Sequence, residues 1–271
     1  MSLALRSVLR PLFKLLMLLL VAVLSLQLYF VGRIALMAVL TPESTAFQRS
    51  EIFRVVEATG SLKWRQSWVP YAQISVNLKR AVIASEDASF TEHDGLDLEA
   101  LEKAWGKNTA AEQRAQKQAD RIAAEDAKRQ KGKKTSAAQA PQKLVAKTPK
   151  IIGGSTITQQ LAKNLFLSGE RTLLRKGEEL VLTLLLEALL DKQQILEIYL
   201  NNVEWGEGIF GAEAAAQHYF RKPAARLSPY EAARLAVMLP RPRYFETRPS
   251  SEYLASRANT IVARMGAVSL P

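Results

Sequence analysis

Hydrophobic positions run unbroken near the start of the chain and then break into helical stripes. From Leu15 to Gly32 no residue is charged, and after Arg33 the apolar character resumes from Ile34 to Leu40. As a helix, 15–32 would rise about 27 Å, close to the hydrocarbon thickness of a bilayer. It is longer than the apolar part of a cleaved signal peptide, about 7 to 15 residues, and runs on through Arg33, which predicts a retained anchor. Further along, Ile74, Leu78 and Val82 recur at i, i+4, i+8 within Tyr71–Ser85, with Lys79 and Arg80 on the other side. Ile157, Leu161 and Leu165 form a second stripe, and Tyr230–Leu239 and Glu252–Met265 read as two more helices. Leu180–Leu190 is apolar almost all round but too short to span, which predicts a buried central helix in which Glu187 needs a structural partner. Nothing after the anchor shows the two-residue alternation of a sheet, so that part reads as mainly α-helical.

Charge sharpens this division. Arg6, Arg10 and Lys14 precede the anchor and no acid occurs before Glu43. The positive-inside rule therefore leaves residues 1–14 in the cytoplasm and exports the chain beyond the anchor at 15–40. A connector at 41–70, a globular domain at 71–245 and a C-terminal helix and tail at 246–271 complete the expected organisation. Within the domain, 106–150 is rich in Ala, Gln and Lys, with twelve basic residues against four acids, or +8 of the chain's net +11. Its propensity is helical up to about Arg129 and mobile through Lys147. For an exported segment, anionic head groups or wall phosphates are better partners than nucleic acid, and a solvated excursion is the simplest reading. With no cysteine and only His93 and His218, disulfide frameworks, thiol nucleophiles and Cys/His zinc sites are excluded.

Four segments carry candidate chemistry. Glu86 and Asp87 sit side by side at a predicted helix C-terminus, where the helix dipole and the like charge disfavour ionisation and suit one of them to act as a general base. Gly153-Gly154-Ser155-Thr156 leads into a helix carrying Gln159, Gln160, Lys163 and Asn164, with Thr156 and Gln159 spaced as a capping box. Such an entry can hold an anion, but the nucleotide P-loop pattern is absent. Arg171, Arg175 and Glu179 recur at i, i+4, i+8 beside Lys176, on a helix predicted to begin near Glu170. Two guanidinium groups there could grip phosphate oxygens, or the row could be a surface salt-bridge ladder. Tyr199-Leu200-Asn201-Asn202 then runs into a loop with Gly206, Gly208 and Gly211, a spacing that brings backbone close to a ligand or a neighbouring helix.

Together these segments resemble the family of peptidoglycan glycosyltransferases that polymerise lipid II, in its monofunctional, membrane-anchored form. The likeness covers Trp68 to about Arg243, through E-D-x-x-F-x-x-H-x-G (Glu86 to Gly95), G-G-S-T-I-T-Q-Q-x-x-K-N (Gly153 to Asn164), R-K-x-x-E (Arg175 to Glu179) and Y-L-N-N with its glycine loop. It implies a lysozyme-like, two-lobed helical glycosyltransferase domain behind a single N-terminal transmembrane helix, placed outside the bacterial inner membrane. It implies Glu86 as the base and Glu179 as the second catalytic carboxylate. Asp87, Phe90, Ser155, Thr156, Gln159, Gln160, Lys163, Asn164, Arg171, Arg175 and Lys176 would bind substrate. Lipid II, the growing glycan chain, the membrane and other wall-synthesis or division proteins would be the partners. No cofactor is required, and a divalent cation, Mg or Mn, is an option at the pyrophosphate. Two features depart from the family pattern: the long basic segment, and Glu178 at a position that is basic in some relatives. No S-x-x-K or K-T-G occurs, so a transpeptidase half is not expected. A lytic, lysozyme-like muramidase and a non-catalytic scaffold of wall synthesis are the rival readings.

Overall fold

The computed structural model describes residues 3–132, 154–167 and 172–271. It divides into two compact units, Met1–Leu96 with Thr156–Pro271, and Asp97–Ser155. The first unit opens with α1 (Leu3–Met37), whose stretch Arg10–Met37 is long and apolar enough to cross a membrane. Most of α1 is exposed, but Phe30, Ile34 and Met37 are buried in the domain core. With Gln27 they recur at intervals of three and four, which is one face of a helix. That face lies along α6 (Leu173–Leu189). The Gln27 amide donates to both Glu178 carboxylate oxygens, at 2.9 and 3.2 Å, and the Phe30 ring meets Phe166 edge-on at 5.3 Å.

The segment read as a connector contains α2 (Ala46–Thr59), started by a capping box between Thr45 and Gln48. Next come α3 (Val76–Glu86) and, in the second unit, α4 (Leu98–Gly132). The first unit continues with α5 (Ile157–Phe166), α6, α7 (Lys192–Asn202), α8 (Ala212–Phe220), α9 (Pro229–Met238), α10 (Pro242–Glu246) and α11 (Glu252–Arg264). The stripe residues Leu78, Val82, Ile157 and Leu161 are fully buried, as their periodicity predicts. In the core α9 packs on α3 and α11, and α5 on α6 and α7. The helix of the basic segment runs to Gly132; the remainder of that segment lies outside the described residues.

Two expectations change. Helix α6 is not buried all round: Leu182, Leu186 and Leu190 face the core, whereas Leu180, Val181 and Leu184 are exposed. An all-apolar sequence carries no periodicity to mark which side is covered. A small sheet also exists, in the order β1 (Arg65–Gln66), β3 (Ile209–Phe210), β2 (Glu204–Gly206), with β1 parallel and β2 antiparallel to β3. Strands of two or three residues are too short to show alternation. The glycine loop closes the turn between β2 and β3. Gly208 has φ +72° there, and a Cβ would collide with the Lys63 carbonyl.

On β2, Glu204 is buried, and Arg243 serves two carboxylates at once. Its Nε lies 2.9 Å from Glu204, and its terminal nitrogen reaches both Glu204 and Glu51 on α2. Arg54 joins Glu51 at 2.7 Å and Glu207 at 3.2 Å. Burial pushes the Glu204 carboxyl up to about 7, and Glu51 adds to this while Arg243 and Arg54 pull it down. A carboxyl whose folded-state pKa exceeds its unfolded one stabilises fully below about pH 4.5, and the contribution fades as pH rises through 7. The amount at stake is on the order of 3 kcal/mol. In thermal melts of detergent-solubilised protein from pH 5 to 8, Glu204→Gln should flatten the decline of the parent; parallel slopes would refute this account.

Candidate active site

A ring of hydrogen bonds ties the end of α3 to the start of α5. Ser75 caps α3 by accepting from the Leu78 amide, and the buried stripe fixes the helix's rotation, so Glu86 and Asp87 emerge together at its C-terminus. Asp87 is buried and both its oxygens are engaged: Oδ2 accepts from the Ile157 amide at 2.9 Å, and Oδ1 lies 2.8 Å from His93 Nε2. His93 Nδ1 accepts from the Gly95 amide at 3.1 Å, so the ring proton sits on Nε2 and is donated to Asp87. The Gly95 carbonyl accepts from the Thr156 hydroxyl at 2.7 Å, and Thr156 caps α5 through the predicted capping box with Gln159. Gly95 has φ +81°, and a Cβ there would stand 2.6 Å from Thr183 Cγ2 on α6.

Beneath this ring Phe90 is fully buried, with the Lys192 ammonium 4.7 Å from its ring centre. Lys192 also donates to the His93 carbonyl and to Glu187, while the Thr158 hydroxyl donates to the same Glu187 oxygen. Glu187 therefore has the structural partners its position demands. Asp87, Phe90 and Thr156 all make framework contacts, and they hold Glu86 in register with α5.

Glu86 itself is half-buried. Gln160 Nε2 donates to its Oε2 at 3.0 Å and the Ser85 hydroxyl to its Oε1 at 3.4 Å. Burial raises the Glu86 carboxyl above the usual carboxylate range; the hydrogen bonds and the field of Arg257 on α11 oppose this, and Asp87 adds to it. Gln160 in turn accepts from the hydroxyl of Tyr199 on α7 at 3.0 Å. Burial, then the charges of Glu86 and Asp87, hold that phenol well above its ordinary value, so it remains a donor.

Helix α5 also carries Lys163, exposed, and Asn164, buried. It packs on α6, which bears Arg175, Lys176 and Glu179. The hydroxyl of Thr172 starts α6, later than the sequence pattern predicts, by accepting from the Arg175 amide. Glu179 is buried and ion-paired with Lys176, and its carbonyl accepts from Thr183 at 2.7 Å. Ser155 is exposed and belongs to the second unit. Arg171 and Gly153 lie outside the described residues. Sequence reasoning placed Tyr199 in a motif without giving it a role, and did not find Arg257 or Gln27. Tyr199 looks like any aromatic in an apolar stripe, and the other two lie far along the chain from the groups they face.

A half-buried carboxyl of raised pKa with a fixed amide donor, next to a helix pair bearing cations, suits proton abstraction beside an anionic group. Residues 54–119 and 122–266 match the Transglycosylase family model. The chain belongs to the transglycosylase family. A biosynthetic peptidoglycan transglycosylase of Burkholderia thailandensis is 50% identical over 92% of this chain and 83% of its own length. That of Burkholderia pseudomallei is 48% identical over the same shares, and that of Herminiimonas arsenicoxydans 46% over 96% of this chain and 97% of its own. This transglycosylase is therefore an enzyme of peptidoglycan biosynthesis, a glycosyltransferase with a mainly helical, lysozyme-like fold and one N-terminal helix able to cross a membrane.

Proposed function

We propose that this transglycosylase polymerises lipid II into linear glycan strands by inverting β-1,4 transfer, releasing polyprenyl pyrophosphate. Glu86, poised by burial and by Gln160, carries the reading. It takes the proton from the 4-hydroxyl of the acceptor's N-acetylglucosamine as that oxygen attacks the donor's anomeric carbon and the bond to pyrophosphate breaks. Lys163, Arg171, Arg175 and Lys176 neutralise charge developing on the leaving group, and Glu179 orients Lys176 through their ion pair. A divalent cation fits this site poorly, because the Glu179 carboxylate already has an ammonium partner and a second cation would compete with it. The reaction is therefore assigned to side chains. Inversion needs no covalent sugar-enzyme intermediate. Helix α1 serves as a single-pass anchor with its N-terminus in the cytoplasm, after the basic residues that precede it. The exposed Leu180, Val181 and Leu184 of α6 suit a domain working against lipid.

Purified protein incubated with labelled lipid II in detergent should yield glycan polymer without peptide cross-links. Shortening of preformed glycan would instead identify a lytic muramidase, and inertness on both substrates a scaffold.

A further inference from the structure

The proposed base touches a side chain with two opposite ends. Gln160 presents N–H to Glu86 and its carbonyl to Tyr199, and a glutamine amide can turn over and exchange those ends at almost no cost in shape. In the turned state the carbonyl would face Glu86, which is acceptable only if Glu86 carries a proton to donate. Tyr199 would then receive an N–H, and its own O–H would lose the only acceptor seen for it among the described residues. Tyr199 is fully buried, so water cannot take that place, and an unpaired buried hydroxyl is costly. The two orientations of one amide thus correspond to the two protonation states of the carboxyl. The phenol favours the orientation that accompanies the ionised one.

We propose that Tyr199 is a positioning residue for the glycosyl transfer: acting only through Gln160, it locks the amide so that Glu86 is kept as a proton acceptor. The inference rests on Glu86 being the base. The other groups facing Glu86 leave this role open. Asp87, its neighbour, is committed to His93 and the Ile157 amide. Ser85 makes only a long contact, and Arg257 acts from α11 through its field. None of them fixes the orientation of Gln160.

The test is the pH dependence of kcat/KM for lipid II polymerisation by Tyr199→Phe, which removes one oxygen and preserves the packing of the ring. A base works when ionised, so turnover falls on the acid side of its pKa. Loss of the lock raises that pKa and moves the acid limb to higher pH. A displacement of about one unit is expected, costing about tenfold in rate below the limb and much less on the alkaline plateau. Gln160→Met should move the limb in the same direction, and the double variant no further than Gln160→Met alone, because one chain of contacts is cut in either case. Should Tyr199→Phe melt early, the Gln160→Met profile carries the same readout. A rate lowered equally at every pH, or displacements that add, would overturn the role given to Tyr199. Failure of the underlying reading would show separately, as Glu86→Gln retaining turnover.

Discussion

Glu86→Gln is expected to lower lipid II polymerisation by about 100- to 10,000-fold, the range a positioned general base supplies, while leaving the fold and lipid II binding in place. The substitution keeps the size of the side chain and an oxygen to receive the Gln160 N–H, so the hydrogen bond at Oε2 need not be lost. It removes the ability to take a proton. The framework around it, in which Asp87 ties His93 to the α5 N-terminus, does not pass through the Glu86 carboxylate and should hold. Turnover within a few-fold of the parent, measured by polymer yield on labelled lipid II with a melt to confirm folding, would remove Glu86 from the mechanism.

Beside the proposed base, a single methyl group should cost much stability in Gly95→Ala. Two costs coincide there. An L side chain is strained at φ +81°, and the added carbon would stand 2.6 Å from Thr183 Cγ2 and 3.0 Å from Glu187 Cγ. Neither neighbour can retreat easily, since Thr183 is fully buried and Glu187 is held by Lys192 and Thr158. Strain and overpacking together amount to about 2 to 4 kcal/mol, or a fall in melting temperature of roughly 5 to 15 °C. Because the Gly95 amide and carbonyl both belong to the ring that links His93 to Thr156, activity should drop at temperatures where the parent is still folded. A melt within about 2 °C of the parent would mean the turn relaxes without cost, contrary to this account.

What the sequence reveals here depends on contrast. The stripe Ile74, Leu78, Val82 stands out because polar residues flank it, and the capping box of Thr156 and Gln159 is legible because both partners lie within one turn. The same reasoning fails where contrast is missing. The exposed side of α6 is as apolar as its buried side. On α1 the docked residues Phe30, Ile34 and Met37 vanish into a run that is hydrophobic almost throughout, broken by Gln27 and Arg33 without a period that marks the docked face. The link from Tyr199 through Gln160 to Glu86 joins three helices, and no spacing along a chain encodes which end of an amide faces which neighbour. The basic segment is legible as composition, through its Ala, Gln and Lys content and its +8 charge.

The seating of α1 bears on the order in which the molecule can be completed. Helix α1 forms one wall of the core, and the wall it meets, at Glu178, lies 151 residues further along the chain than Gln27. Closing so long a loop in free solution is slow, since the chain must find a distant contact before anything rewards the search. A helix already held in the bilayer confines that search to a surface and raises the effective concentration of the two faces. Membrane insertion would then act as a folding step as well as an address. A foreign anchor of equal length would deliver the domain but leave α6 without the face that Gln27, Phe30, Ile34 and Met37 provide.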